Sequence, residues 1–284
     1  MKRVHFLFLL VALVVVACNA PYDDDLPEYD GEIVVEAYLN QSIPLLNYCL
    51  LSRSVAYYNP NLDVEQVSEA SIYVYEGVEE NGELTWDRDN GQKWEQFPQL
   101  LGAYVPAFGW AAKENTFYLM EIEVEGKNLS AITQVPKLVE IDTLFIDNRF
   151  NSVADSVEPF ERLTFSDPKG FGNNYALFRT RKGFFDNPLT WGSMRRIFTT
   201  DDEFFDGNSW GFSSFFPQTY GDTVTFYLAS MDKASYRFWE SYDVSQNNGG
   251  PFSQPINVES NIEGGRGVFC GLAVDRRRII IEKP

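Results

Sequence analysis

Asp201, Asp202, Glu203, Asp206 and Asn208 place five oxygen-bearing side chains within eight residues. A hard cation such as calcium is held by six to eight oxygens, so the stretch has the right atoms for one. The alternating Asp-x-Asp-x-Asp spacing of an EF-hand loop is missing, and the segment reads as an acidic turn with no metal centre expected. Trp191, Trp210, Phe212, Phe215, Phe216 and Tyr220 crowd the same region. Rings beside carboxylates are what a sugar-binding surface uses: the rings stack on C–H faces while the acids accept hydroxyl protons. Trp191, Asp201, Asp202, Asp206, Trp210 and Tyr220 are therefore the candidate ligand-binding residues, against the competing reading that most of these rings are core. A glycoside hydrolase would further need two carboxyls about 5 to 10 Å apart across a cleft.

Histidine-dependent catalysis is excluded. The single histidine, His5, lies in the apolar leader, so the chain after residue 17 has no imidazole for a Ser-His-Asp or Cys-His set or for a histidine-ligated metal. No catalytic residue and no cofactor are assigned, and the chain is read as a non-enzyme. The glycines at 264, 265, 267 and 271 do not match a dinucleotide fingerprint, because glycine is missing where Cys270 stands and no βαβ unit surrounds them. They read as a closely packed or bulged strand.

Cys18 carries the other chemistry. Lys2 and Arg3 precede an apolar run from Phe6 to Val16, and Val15-Val16-Ala17-Cys18 closes it. A positive start, a short apolar stretch and a small residue at the cut define a secretory signal peptide over residues 1–17. A bilayer span needs about 20 apolar residues, so the run is too short to stay as one. The order of residues resembles a bacterial lipobox, in which the thiol receives acyl chains, palmitate among them; two or three chains anchor a protein stably. Residues 18–30 then read as a solvated tether with five acidic residues and two prolines. At about 3.3 Å per residue its last twelve reach roughly 40 Å. The acidic run behind the cysteine resembles the surface-export signals of Bacteroidota lipoproteins, which points to the outer membrane with the folded part facing the cell exterior.

Removing the leader takes Lys2 and Arg3 from the 23 basic side chains, leaving 21 against 41 acidic ones. Such a charge repels nucleic acid and anionic headgroups. With 44% hydrophobic and 15% aromatic residues the chain can bury a large core, and its length suggests two domains. Cys49 and Cys270 lie in apolar strand sequence and read as buried free thiols, with a bridge between them the alternative an exported compartment permits.

The elements that position these residues are nearly all strands. In 31–135, Ile33, Val35, Ala37 and Leu39 alternate in one strand, Leu45 to Ser54 forms a second, and Ala70 to Glu76 alternates until Gly77. Asn81-Gly82 and Asn90-Gly91 signal hairpin turns. Tyr118, Met120, Ile122 and Val124 share a face opposite Glu121, Glu123 and Glu125, before a turn at Gly126-Lys127-Asn128. The spacing predicts an immunoglobulin-like or transthyretin-like sandwich. In 136–284, strands are expected at 141–147, 163–167, 175–180, 195–199, 212–216 and 223–230, forming a second sandwich or partly closed barrel. One short helix interrupts them at about 231–243, where Met231, Ser235, Phe238, Trp239 and Tyr242 fall on one side.

The stretch Asn257 to Gly271, preceded by the helix and by Pro251-Phe252-Ser253-Gln254-Pro255, resembles the closing motif of a Bacteroidota lipoprotein family, domain-of-unknown-function family 4249. Ile33 to Leu39, Ser52 to Tyr58, Glu125-Gly126-Lys127 and Asp202 to Gly207 fit that family in the same order, over nearly the whole chain after the leader. Cys270 stands where that motif has glycine. The resemblance implies an outer-membrane lipoprotein, often encoded near TonB-dependent transporters, with no established activity. Together with Cys18, the acidic tether and the missing imidazole it gives the expectation of an accessory or ligand-capturing partner of such a transporter. A glycan-binding module or carboxylate-based hydrolase, and a structural or adhesive envelope protein, are the alternatives.

Overall fold

Alternation in Ile33-Val34-Val35-Glu36-Ala37-Tyr38-Leu39 builds a strand that is buried on both faces, β1 (Ile33–Asn40). The computed structural model describes residues 31–55, 64–153, 155–181, 194–248 and 256–284. The leader, Cys18, the tether and Trp191 lie outside the described residues. Residues Glu32–Pro284 cluster as one unit.

The described residues are nearly all β, with one α-helix among them. Following β1 come β2 (Tyr48–Arg53), β3 (Ser71–Glu80), β4 (Glu83–Trp86), β5 (Gln92–Gln96), β6 (Ala103–Val105), β7 (Thr116–Val124) and β8 (Lys127–Val135). After these lie β9 (Ile141–Asn151), β10 (Ser156–Ser166), β11 (Asn174–Arg181), β12 (Arg195–Asp201), β13 (Ser209–Ser213) and β14 (Thr223–Met231). Helix α1 (Lys233–Asn247), β15 (Ile262–Glu263) and β16 (Arg266–Ile280) complete the order.

Thirteen strands form one sheet in the order β12-β11-β14-β16-β1-β2-β6-β5-β3-β7-β8-β15, with β4 beside β3; the second sheet is β13-β10-β9. The large sheet ends at β12 and β15, so no closed barrel forms among the described residues. It also runs across the boundary expected at residue 136. The cause is β16, which pairs in parallel with β1 over Val34–Asn40 and antiparallel with β14 over Thr223–Met231.

Three apolar clusters follow. Ile33, Val35, Ala37 and Leu39 pack with Trp94, Tyr118, Met120 and Ile122 between the layers of the first half. Tyr38, on the opposite face of β1, packs with Tyr48, Phe178, Trp239 and Cys270. Leu163, Phe165, Tyr175, Leu177 and Phe226 fill the space between the three-stranded sheet and β11 with β14. Cys49 belongs to the first cluster and Cys270 to the second, and both are free thiols.

Several local expectations shift. The strand expected to stop at Gly77 runs on to Glu80, because the Trp86 ring lies flat on Gly77; a Cβ there would stand 2.3 Å from the ring. Asn81 and Gly82 do turn, with φ of 56° and 83°. Asn90-Gly91 makes no β4–β5 hairpin, since both strands pair with β3; Gly91 instead seats the Tyr75 ring. The segment expected as strand from Leu45 opens with a 3-10 turn at Pro44–Leu46, and the strand expected at 212–216 lies at Ser209–Ser213. Met231 closes β14, and the helix begins behind Asp232, whose carboxylate accepts the Ser235 N–H at 2.8 Å.

Candidate functional site

The acidic loop expected to bind a ligand is a hydrogen-bonded lock. Asp202 and Asp206 are joined by Asp167, and one oxygen from each lies within 4.8 Å of the others. Their oxygens are engaged by donors from two loops. Asp202 accepts from the N–H groups of Gly172 and Asn173, each at 3.0 Å, and from Asn173 Nδ2 at 3.2 Å. Asp206 accepts the Gly170 N–H at 2.6 Å, and Asp167 accepts the Gly207 N–H at 2.8 Å and the Tyr175 hydroxyl. Burial and then the bond to Asp167 push the Tyr175 phenol far up. Asp201 ends β12 opposite Asn174. Carboxylates here satisfy the backbone N–H groups of Gly170, Gly172, Asn173 and Gly207, which no strand ladder reaches.

Of the aromatic partners, Trp210 backs onto that lock from the core side through Phe205, and Tyr220 lies away from it. Trp210 packs into the core against Phe198, Phe165 and Phe205, with ring centroids 4.7, 5.7 and 5.8 Å away. Tyr220 places its hydroxyl 3.1 Å from both Asn148 Oδ1 and Val157 O. Val157 is eight residues from Phe165, the partner of Trp210, so at about 3.3 Å per residue the two rings sit at opposite ends of β10. Phe215 and Phe216 point outward.

A different place has the form of a binding site. The face of β1 that carries Val34, Glu36 and Tyr38 continues onto Val268 of β16, and α1 lies over it with Phe238, Trp239 and Tyr242. Between them opens a cleft of 720 Å³, lined also by Phe178, Met194 and Arg196. That volume is in the range of small-molecule sites, about 300–1,000 Å³.

Glu36 is the charged group on its floor. Burial holds its pKa above the usual glutamate value, and hydrogen bonds from the Tyr48 and Tyr38 hydroxyls offset only part of this. The Tyr48 hydroxyl lies 3.3 Å from Glu36 Oε1. Tyr38 is itself pushed well up by burial and by the Glu36 charge. Arg196 lies on the wall with its guanidinium 4.3 Å from the Trp239 ring centroid, donating to Asp243 and, at 3.0 Å, to Thr199 Oγ1. Burial lowers its pKa against the pull of Asp243. Cys270, opposite Tyr38 on β16, is fully buried and its thiol is pushed far up by that burial.

Glu36 carried a signal in the sequence. The face Val34-Glu36-Tyr38 is too apolar for a solvated one, so a carboxylate in its centre implies a covered, polar purpose. What completes the site is Tyr48 from the neighbouring antiparallel strand β2 and Trp239 from α1, which lies about two hundred residues further along the chain.

The family model described as Domain of unknown function (DUF4249) matches residues 19–278. No curated protein matches the chain.

Proposed function

The chain belongs to the DUF4249 family, and from that premise we propose that it is a lipid-anchored outer-membrane protein, facing the cell exterior, that captures a ligand beside a TonB-dependent transporter. The cleft over Glu36 is the observation that carries the capture role. A half-buried carboxylate, partly desolvated and facing a 720 Å³ space, costs stability and does nothing for packing, which is the mark of a site kept for a ligand. Cys18 and the acidic tether supply the anchoring, and the absence of imidazole after the leader favours binding over catalysis.

The glycan-binding or glycoside-hydrolase alternative would use the acidic and aromatic loops. It is less favoured because Trp210 is packed in the core and Tyr220 stands at the other end of β10.

The experiment is a mild-detergent pull-down of the lipidated chain from its own outer membrane, with partners quantified by mass spectrometry and a Cys18→Ser chain beside it. A near-stoichiometric TonB-dependent transporter, lost with Cys18→Ser, is the expected result. A chain that carries no acyl group, or that comes down with no transporter, overturns the anchoring or the partnership respectively.

A further inference from the structure

We infer that the ligand of the cleft is a small organic cation, an amine whose ammonium group sits on Glu36 and whose apolar body lies against the aromatic wall of α1. The inference rests on the capture role proposed above and names its chemical class.

Charge complementarity carries it. Glu36 takes part in none of the ion pairs among the described residues, and its contacts are two tyrosine hydroxyls. Both arginines that line the cleft are committed elsewhere: Arg266 pairs with Glu32 at 2.9 Å, and Arg196 pairs with Asp243. Glu259 adds a second unpaired carboxylate at the rim, held in place by its backbone N–H on Ser241 Oγ at 2.9 Å. The local balance is thus negative, with the deepest acid lacking the counter-charge that a desolvated carboxylate gains most from. An ammonium supplies that charge and three donors in one group.

The wall suits the rest of such a molecule. Phe178, Phe238, Trp239 and Tyr242 present rings to the space, and the cation of Arg196 already rests on the Trp239 face. An anionic ligand would meet Glu36 and Glu259 with neither arginine free to answer it. The chain's excess of acidic over basic side chains also concentrates cations near its surface.

Three probes of nearly equal size separate the classes: phenethylamine, 2-phenylethanol and 3-phenylpropionate. Each is titrated by ligand-observed NMR against residues 18–284 carrying Cys18→Ser. The amine is expected to bind at least tenfold tighter than either of the others, and Glu36→Gln is expected to bring it down to the alcohol's affinity. The ranking of probes on the unaltered cleft stands whether or not the variant folds. If the alcohol or the acid binds as well as the amine, or if Glu36→Gln folds and leaves the amine's affinity unchanged, the cation inference falls and the capture role stands. Silence from all three removes the cation and the cleft together, and leaves the transporter partnership to be judged by the pull-down alone.

Discussion

Asp232 Oδ2 accepts the Thr133 hydroxyl at 2.9 Å, and the same oxygen accepts the Gln134 N–H at 2.9 Å. Its other oxygen caps α1 through Ser235, and Thr133 Oγ1 in turn accepts the Gly271 N–H at 2.7 Å. One carboxylate thereby ties β8, β16 and the helix that walls the cleft.

Asp232→Ala removes a helix cap and strands a partly buried N–H and hydroxyl. The loss is expected at about 2–4 kcal/mol. Thermal melting should fall by about 5–10 °C for a chain of this size. A drop under 2 °C would mean the three bonds are replaced by water.

Gly271→Ala is expected to be far worse than Gly82→Ala. A Cβ on Gly271 would stand 2.3 Å from Gln134 O and 2.8 Å from Val135 N, and backbone cannot yield cheaply. Loss of more than about 3 kcal/mol follows, seen as insoluble or molten protein. Gly82 has nothing within 4 Å and only its φ of +83° to strain, a cost of about 1–2 kcal/mol. Equal melting temperatures for the two variants would contradict the close approach of β16 and β8.

Glu36 makes the fold pH-sensitive in a defined direction. Its folded pKa lies above the ordinary 4.5, so between the two values the folded chain holds more protons than the unfolded one. Stability contributed by this group therefore falls as pH rises through that window, and the penalty persists at neutral pH. Glu36→Gln should melt higher than the parent at neutral pH, with the difference vanishing below about pH 4, where both states are protonated. A variant that melts lower at neutral pH would show that the carboxylate is favourably paired.

The acidic lock should respond to substitution and ignore calcium. Asp202→Ala abandons two backbone N–H groups and an amide, a loss of about 2–4 kcal/mol. Asp206→Ala abandons one N–H, about 0.5–1.5 kcal/mol. Saturating calcium should shift neither the parent's melting temperature nor its calorimetric baseline. A rise of several degrees would instead show that the three carboxylates exchange their N–H donors for the ion.

Local features were legible in the sequence because local sterics decide them. The alternation at Ile33–Leu39 and the aromatic side of α1 follow from periods of two and about 3.6, and the Asn81-Gly82 turn from the positive φ that these two residues tolerate. Gly77 misled because a glycine in a strand reads as a stop, whereas here Trp86 needs the missing side chain. Asp167 read only as the end of the strand expected at 163–167, since its partners Tyr175 and Gly207 are brought to it by folding. The cleft was illegible for the same reason: Glu36, Tyr48, Arg196 and Trp239 meet only when four separate elements are assembled.

The pairing of β1 with β16 also sets an order of events. Val34 finds Arg266 and Asn40 finds Leu272, so a central strand made first waits for one made among the last. Every residue between them must be synthesised before the middle of the large sheet can zip, and such long loop closures slow folding. Until then the β16-side edge of β1 is an open template, and a growing chain with that edge free is one that a chaperone or a translocation channel can still hold as an unfolded thread.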